Sequence, residues 1–445
     1  MKAESSPIER VNQWVRVSVT IKIMWIGVLI FLLMIPTFMI QSLIRERESR
    51  SDGAVNEISS KWGYEQIVGG PVLSVPVQIV RYGNDGKFLG SSIEYFHCLP
   101  KTLNVDGELR PEIRKRGIYE AVLYGSQLRL NGTVDLSALG RISGANKTIL
   151  WKEAVVTMNI SDMRGLRDQV VLNWNNAPLT FNPGIPTQDL FQTGLSVDVP
   201  LAPESIRKEI SFNVQLNLNG SRRLAILPMG ETTSARLQSA WPSPSFSGDF
   251  LPEKREVSNK GFNAEWRVFH INRAYPQEWL GKSFDVMNPQ FGVNLIQPVD
   301  YYTKAMRAAK YAVLFLFLTF LAFFLLEVFG HRPFHTIQYL LVGFSMCLFY
   351  LLLLSLSEHI PFGFAYIVAS LTVVGLITGY TKGVFAQPRI TTGTFLAVSA
   401  LYAFLYSLLQ MEDYALLFGT VALTVILGGF MYFTRKQNWF DIQRH

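Results

Sequence analysis

The chain has 445 residues, 49% of them hydrophobic, a formal net charge of +7 and two cysteines. The length allows two or three folded units. Basic residues are mixed with acids or flank apolar runs, without a basic stripe or recognition motif, which excludes nucleic-acid binding.

Residues 1–22 read as a cytoplasmic N-terminus and interfacial segment carrying Lys2, Arg10, Arg16 and Lys22. Residues 23–40 are the first transmembrane helix, since a hydrocarbon core about 30 Å thick needs roughly 20 apolar residues. No small-x-small cleavage site follows Ile40, where the chain runs on as Gln41-Ser-Leu-Ile-Arg45. An uncleaved anchor is expected rather than a signal peptide.

Residues 41–304 have the charges, Pro, Gly and turn dipeptides of a domain in water. Short helical pieces are expected near 45–62 and 204–208. Strands are expected at 127–130, 154–160, 195–199, 210–218, 262–271 and 292–296, where apolar and polar residues alternate. The clearest is Ile210-Ser-Phe-Asn-Val-Gln-Leu-Asn-Leu218, which ends on Asn219-Gly220; Asn131-Gly132 ends another. Both Asn-Gly pairs predict hairpin turns. The expected fold is an antiparallel, sandwich-like β-rich domain. Gln127-Leu-Arg-Leu-Asn-Gly-Thr133 echoes Gln215-Leu-Asn-Leu-Asn-Gly-Ser221. Either a duplicated subdomain or two unrelated hairpins would produce that echo. The run Trp241-Pro-Ser-Pro-Ser-Phe-Ser-Gly-Asp-Phe250 is too punctuated for a strand interior. It reads as a long connection packing its aromatics onto the sheet, ahead of a binding loop. Cys98 lies here and Cys347 in an apolar run, so they make neither a disulfide framework nor a metal pair. His97 beside Cys98 would be half a metal site, but no second ligand pair is recognisable, and a strand-end histidine is the plainer reading.

Residues 305–434 read as a five-helix transmembrane bundle, with spans at 311–329, 337–356, 362–380, 391–409 and 414–433. Residues 435–445 are a tail. Lys and Arg fall before the first span, between the second and third (Arg332), between the fourth and fifth (Lys382, Arg389) and after the sixth (Arg435, Lys436, Arg444). The other two short loops carry only Glu358, Glu412 and Asp413 as charged residues. This pattern puts both termini in the cytoplasm and the large domain outside. Tyr301, Tyr302 and Trp439 fit interfacial anchoring. Gly375-Leu-Ile-Thr-Gly379 is expected to pack against a neighbouring helix of this chain, ahead of dimerisation.

Mid-helix positions carry Ser345, Cys347, Ser370, Thr372 and Thr424 but no charge, unlike a proton-coupled transporter. Ionisable residues stand only near span ends, at Glu327 and at Glu358-His359. Glu358 and His359 either terminate a helix or face inward, docking the β-rich domain or lining a ligand entrance. No phosphate-binding loop, His-Glu-x-x-His or Gly-x-Ser-x-Gly is found, so no catalytic, metal or cofactor residue is assigned.

Several strings resemble the CreD family of bacterial inner-membrane proteins, described as cell envelope integrity proteins. They are Gly117-Ile-Tyr119, Ser245-Phe-Ser-Gly-Asp-Phe-Leu-Pro-Glu-Lys-Arg-Glu-Val257 with Gly261-Phe262 and Trp266, and Gln338-Tyr-Leu-Leu-Val-Gly343 followed by Phe349-Tyr-Leu-Leu-Leu-Leu-Ser-Leu-Ser-Glu-His359. The resemblance runs from the first helix to the sixth. His335-Thr336 stands where the family tends to read His-Pro, which touches only the local helix start. The resemblance implies a Gram-negative inner-membrane address, a link to envelope homeostasis and to two-component regulation, and no reaction. Glu358, His359, Glu327 and Gln338 are the candidate functional residues. The expected function is non-enzymatic, with the periplasmic domain binding an envelope component. The alternative is a carrier or modifier of lipid or another envelope precursor, using a groove between β-domain and bundle. Membrane lipids, another envelope protein or a lipid ligand are the expected partners, with no cofactor.

Overall fold

The computed structural model describes residues 19–435 apart from 86, 143, 145, 208, 297–300, 331–333 and 412–413. The basic segment before residue 19, Arg332, the acidic pair Glu412 and Asp413, and the tail from Lys436 with Trp439 and Arg444 lie outside the described residues. The chain divides into two units, Ser51–Pro298 and Met1–Arg50 with Val299–His445.

The helical unit begins with α1 (Val19–Trp62), a single helix of 44 residues. The span expected at 23–40 and the short helix expected near 45–62 are therefore one element. Nothing between them breaks a helix, because residues 41–52 hold no Gly or Pro. Arg50 and Glu46 pair at 2.6 Å and Lys61 and Glu57 at 3.0 Å, each one turn apart. Pro36 sits inside α1, where the following Thr37 hydroxyl donates to the Leu33 carbonyl at 2.9 Å.

After α1 come α2 (Tyr301–Lys310), α3 (Ala312–Gly330), α4 (Thr336–Ser357), α5 (Phe362–Phe385), α6 (Pro388–Gln410) and α7 (Ala415–Thr434). Helices α1, α4, α5 and α6 are long and apolar enough to cross a membrane. The pair α2 and α3, bent by 46°, makes a fifth if counted as one span, and α7 has a shorter apolar stretch at Leu417–Tyr432. Among the described residues, Gly375 and Gly379 do not pack within the chain as expected. Both are exposed, with nothing within 4 Å of where a Cβ would stand. The inward face of α5 is taken instead by Val373, Val374 and Ile377, whose side chains bury more apolar surface.

The β-rich unit holds two sheets. The first runs Pro244–Gly248, Phe291–Leu295, Arg223–Ile226, Gln66–Tyr82, Val155–Ile160, Leu195–Asp198, Asn182–Pro183. Off this path, Phe88–Cys98 pairs with Gln66–Tyr82 on one side and Glu278–Leu280 on the other. The second runs Lys254–Ser258, Gly261–Phe269, Thr232–Ser239, Thr102–Arg116, Tyr119–Asp135, Glu209–Ser221, Val171–Trp174, Ala177–Thr180. Pairing is antiparallel except where Gln66–Tyr82 meets Arg223–Ile226 and where Thr102–Arg116 meets Thr232–Ser239. One core takes side chains from both sheets, Val72 and Val156 from the first and Leu128, Leu216 and Leu237 from the second.

Neither Asn-Gly pair makes the predicted turn. Asn131-Gly132 lies inside Tyr119–Asp135 and Asn219-Gly220 inside Glu209–Ser221. These glycines serve close approach, since a Cβ on Gly132 would meet the Thr102 carbonyl and the Phe212 ring, and one on Gly220 the Tyr124 hydroxyl. The reversal comes at Arg222, at φ 59°. The two echoing strings lie on adjacent antiparallel strands, with Leu128 opposite Leu216. The run from Trp241 is also corrected, since Pro244–Gly248 is an edge strand, a place that tolerates proline. Its Phe246 does pack edge-on against Phe262 and Trp266.

The last turns of α1, from Ser51, belong to this unit. Val55 packs with Ala121 and Leu123, and Ile58 and Trp62 pack against them. The Trp62 indole donates to the Tyr124 carbonyl at 3.1 Å and lies 3.9 Å under the Arg114 guanidinium. Asp162 closes the helix end, accepting from the Tyr64 amide at 2.9 Å and from Arg164, whose guanidinium also donates to the Ser60 carbonyl.

Candidate functional site

The sequence-derived candidates all fall in the helical unit, and the fold separates them. Gln338 is a helix cap. Its side chain accepts from the His335 amide at 3.0 Å, while the His335 ring accepts from the Ile337 amide at 3.3 Å, which starts α4. Glu327, near the end of α3, is 7% exposed. It pairs with Lys22 on α1 and accepts from the Tyr339 hydroxyl of α4 at 3.1 Å. Glu358 and His359 part company at the end of α4. Glu358 turns inward, accepting from the Tyr302 hydroxyl at 3.2 Å and standing 3.7 Å from the Arg47 guanidinium, while His359 is exposed.

These contacts form a ladder along α1. Lys22 reaches α3, the Thr37 hydroxyl lies 3.9 Å from the Cys347 thiol of α4, Gln41 donates to the Ala309 carbonyl of α2 at 3.1 Å, and Arg47 reaches Glu358. α1 is thus bonded into its bundle at four levels. Both carboxylates already have cationic and phenolic partners, an arrangement suited to holding helices together.

A second arrangement, in the β-rich unit, starts from cross-strand register. His97 stands opposite Ser74 on one neighbouring strand and Trp279 on the other. Ser74 Oγ lies 2.9 Å from His97 Nδ1, and the Trp279 ring centre lies 5.5 Å from the imidazole. Two loops rest on this row. From residues 187–193, Asp189 meets His97 Nε2 at 3.4 Å. From residues 281–287, entered through Gly281 at φ 72°, Phe284 packs edge-on against Trp279 at 5.5 Å. The loops wall a cleft of about 780 Å³.

Burial pushes the His97 imidazole down to about 4, against the pull of the Asp189 carboxylate. The ring is therefore neutral near pH 7. Ser74, His97 and Asp189 follow the order of a hydrolytic relay, but Ser74 and His97 are both 0% exposed, so no substrate carbonyl can approach Oγ in this conformation. The row works as a strut carrying Asp189 to the cleft wall. Burial likewise pushes the neighbouring Cys98 thiol up, leaving it unreactive. Among the described residues no cluster of three His, Cys, Asp or Glu is placed to hold a metal. Sequence reasoning named His97 but missed the cleft. Its walls come from positions 159–161, 188–193 and 282–287, and the strut beneath from 74, 97 and 279, with no spacing motif to join them.

Comparison with known proteins covers nearly the whole chain. The family described as "Inner membrane protein CreD" matches residues 18–440. The Escherichia coli (strain K12) protein named "Inner membrane protein CreD" is 36% identical over 426 residues, spanning 92% of this chain and 91% of that protein. With apolar helices of membrane-crossing length joined to a β-rich unit, the chain belongs to the CreD family of inner membrane proteins.

Proposed function

We propose that this protein supports cell envelope integrity without catalysing a reaction, by holding a binding domain at the periplasmic side of the inner membrane. Six spans carry it, α2 with α3 counting as one broken span and α7 as the sixth. Both termini are cytoplasmic, which the distribution of Lys and Arg over the short loops supports. The observation that carries the binding role is the cleft of the β-rich unit. Its volume is within the ~300–1,000 Å³ of ligand pockets, and polar side chains converge on it. Its ligand is an envelope component.

Topology is tested by single cysteines in a background lacking Cys98 and Cys347. An impermeant thiol reagent should label Ser357→Cys and Gln410→Cys from outside and spare Lys382→Cys; labelling at 382 overturns the arrangement. The role is tested by asking whether cleft variants of normal abundance still complement an envelope defect of a deletion strain.

A second reading, lipid handling, has one observation in its favour. A wholly apolar groove of about 440 Å³ opens between α1, α3 and α7, lined by Ile26, Phe317, Phe320, Leu423 and Phe430 among others. A lipid that copurifies and is displaced by Leu423→Trp would favour it.

A further inference from the structure

We infer that the cleft of the β-rich unit is a saccharide site, taking a short oligosaccharide through amide and carboxylate groups on its rim and the ring of Phe284. The inference rests on the binding role proposed above and names its ligand class.

The rim supplies the chemistry that a polyhydroxylated ligand needs. Gln188 and Gln192 project from one loop and Asp285 from the other, with Asp189 between them. An amide offers both donor and acceptor and a carboxylate two acceptors, which suits adjacent hydroxyls. The Gln188, Gln192 and Lys282 side chains make no hydrogen bond or ion pair among the described residues, so their capacity is open to a ligand. Phe284 remains 37% exposed while its ring is held edge-on by Trp279, which leaves an apolar ring surface for the C–H face of a sugar. The buried strut below fixes both walls, since Asp189 is tied to His97 and Phe284 to Trp279. Such a rim is preorganised, which lowers the ordering cost of binding.

Other ligand classes fit less well. Two carboxylates face one lysine, which disfavours a phosphate or other anion. The apolar residues Leu190, Phe191 and Val286 are 7%, 2% and 1% exposed, so they form a floor rather than a channel for an acyl chain. A peptide added as a strand would need a free sheet edge. The edge from which the first loop springs is Asn182–Pro183, two residues long and containing proline.

The test uses the full chain in mild detergent, with calorimetric titration of two soluble probes, a linear N-acetylglucosamine tetramer and a linear glucose tetramer. At least one should bind, and Gln188→Ala with Gln192→Ala should weaken it about tenfold, the loss of roughly one to two hydrogen bonds. Phe284→Ala should weaken it comparably, and Ile93→Ala, on a strand outside the cleft, should not. Failure of both tetramers, or unchanged binding in the cleft variants, overturns the inference. A photoreactive residue in place of Gln192, activated in cells, separates this from the broader role. An adduct bearing sugars supports the saccharide site, and an adduct with a protein or lipid overturns it while leaving envelope binding intact. No adduct overturns both.

Discussion

The two units treat their polar side chains differently. In the helical unit, Glu327 and Glu358 each engage a cation and a tyrosine, and the partners come from different helices. In the β-rich unit, the strut of Ser74, His97 and Asp189 is equally closed, but on the rim above it Gln188, Gln192 and Lys282 are unengaged among the described residues. A charge in an apolar bundle must be paired to be tolerated, so its presence alone is weak evidence of a ligand. An unengaged group on a fixed rim is better evidence.

The largest effect that would test this contrast is in the bundle. Glu327→Gln should cost about 3–5 kcal/mol, because it strands Lys22 in a largely buried place. Glu327→Leu with Lys22→Met should recover most of that. Equal loss in single and double variants, measured by unfolding in detergent, would show that the pair does more than hold helices.

Next is the strut. The folded His97 ionises near 4 against an ordinary value of about 6.5, so the unfolded chain binds the extra proton first. Its contribution is complete above pH 6.5 and falls by roughly 3 kcal/mol as the pH drops to 4. Near-UV circular dichroism against pH should show this, and His97→Gln should flatten the acid limb. A smaller loss, about 2 kcal/mol, is expected for Asp162→Asn. Burial opposes ionisation of Asp162, but hydrogen bonds from Arg164 and Tyr64 outweigh it and hold the carboxyl below its usual range. That contribution is present above the ordinary carboxyl value and is lost as pH falls through the lower folded one.

The smallest effect should be Gln188→Ala with Gln192→Ala, within about 0.5 kcal/mol of the parent in unfolding, since neither side chain bonds to another of the described residues. A large loss would mean that the rim is structural and would remove the contrast.

The legible parts of the sequence are those with one wet and one dry face. Glu209–Ser221 alternates because alternate residues from Ile210 to Leu218 enter the core and the others meet water. Gln66–Tyr82, at the centre of the first sheet, is buried at nearly every position from Gln66 to Val77. With both faces covered, the period of two vanishes, and Gly69, Gly70, Pro71 and Pro76 resemble loop punctuation. The Asn-Gly pairs misled for a related reason: a glycine needed for close contact looks the same as one needed for a turn. At the candidate sites, single-residue chemistry was readable and partnership was not. Glu327 was visible as a charge beside lipid, whereas Lys22 lies 305 positions away in sequence.

The two parallel strand pairs also set an order of events during synthesis. Gln66–Tyr82 waits for Arg223–Ile226, and Thr102–Arg116 for Thr232–Ser239. At ~5–20 residues per second, the first partner follows on the order of ten seconds later. Through that interval the emerging chain carries long strands with bare edges, which are templates for mispairing. A nascent polypeptide of this design should need holdase protection until both partners have emerged, and stalled or truncated products lacking residues beyond 226 should be degraded rather than accumulate.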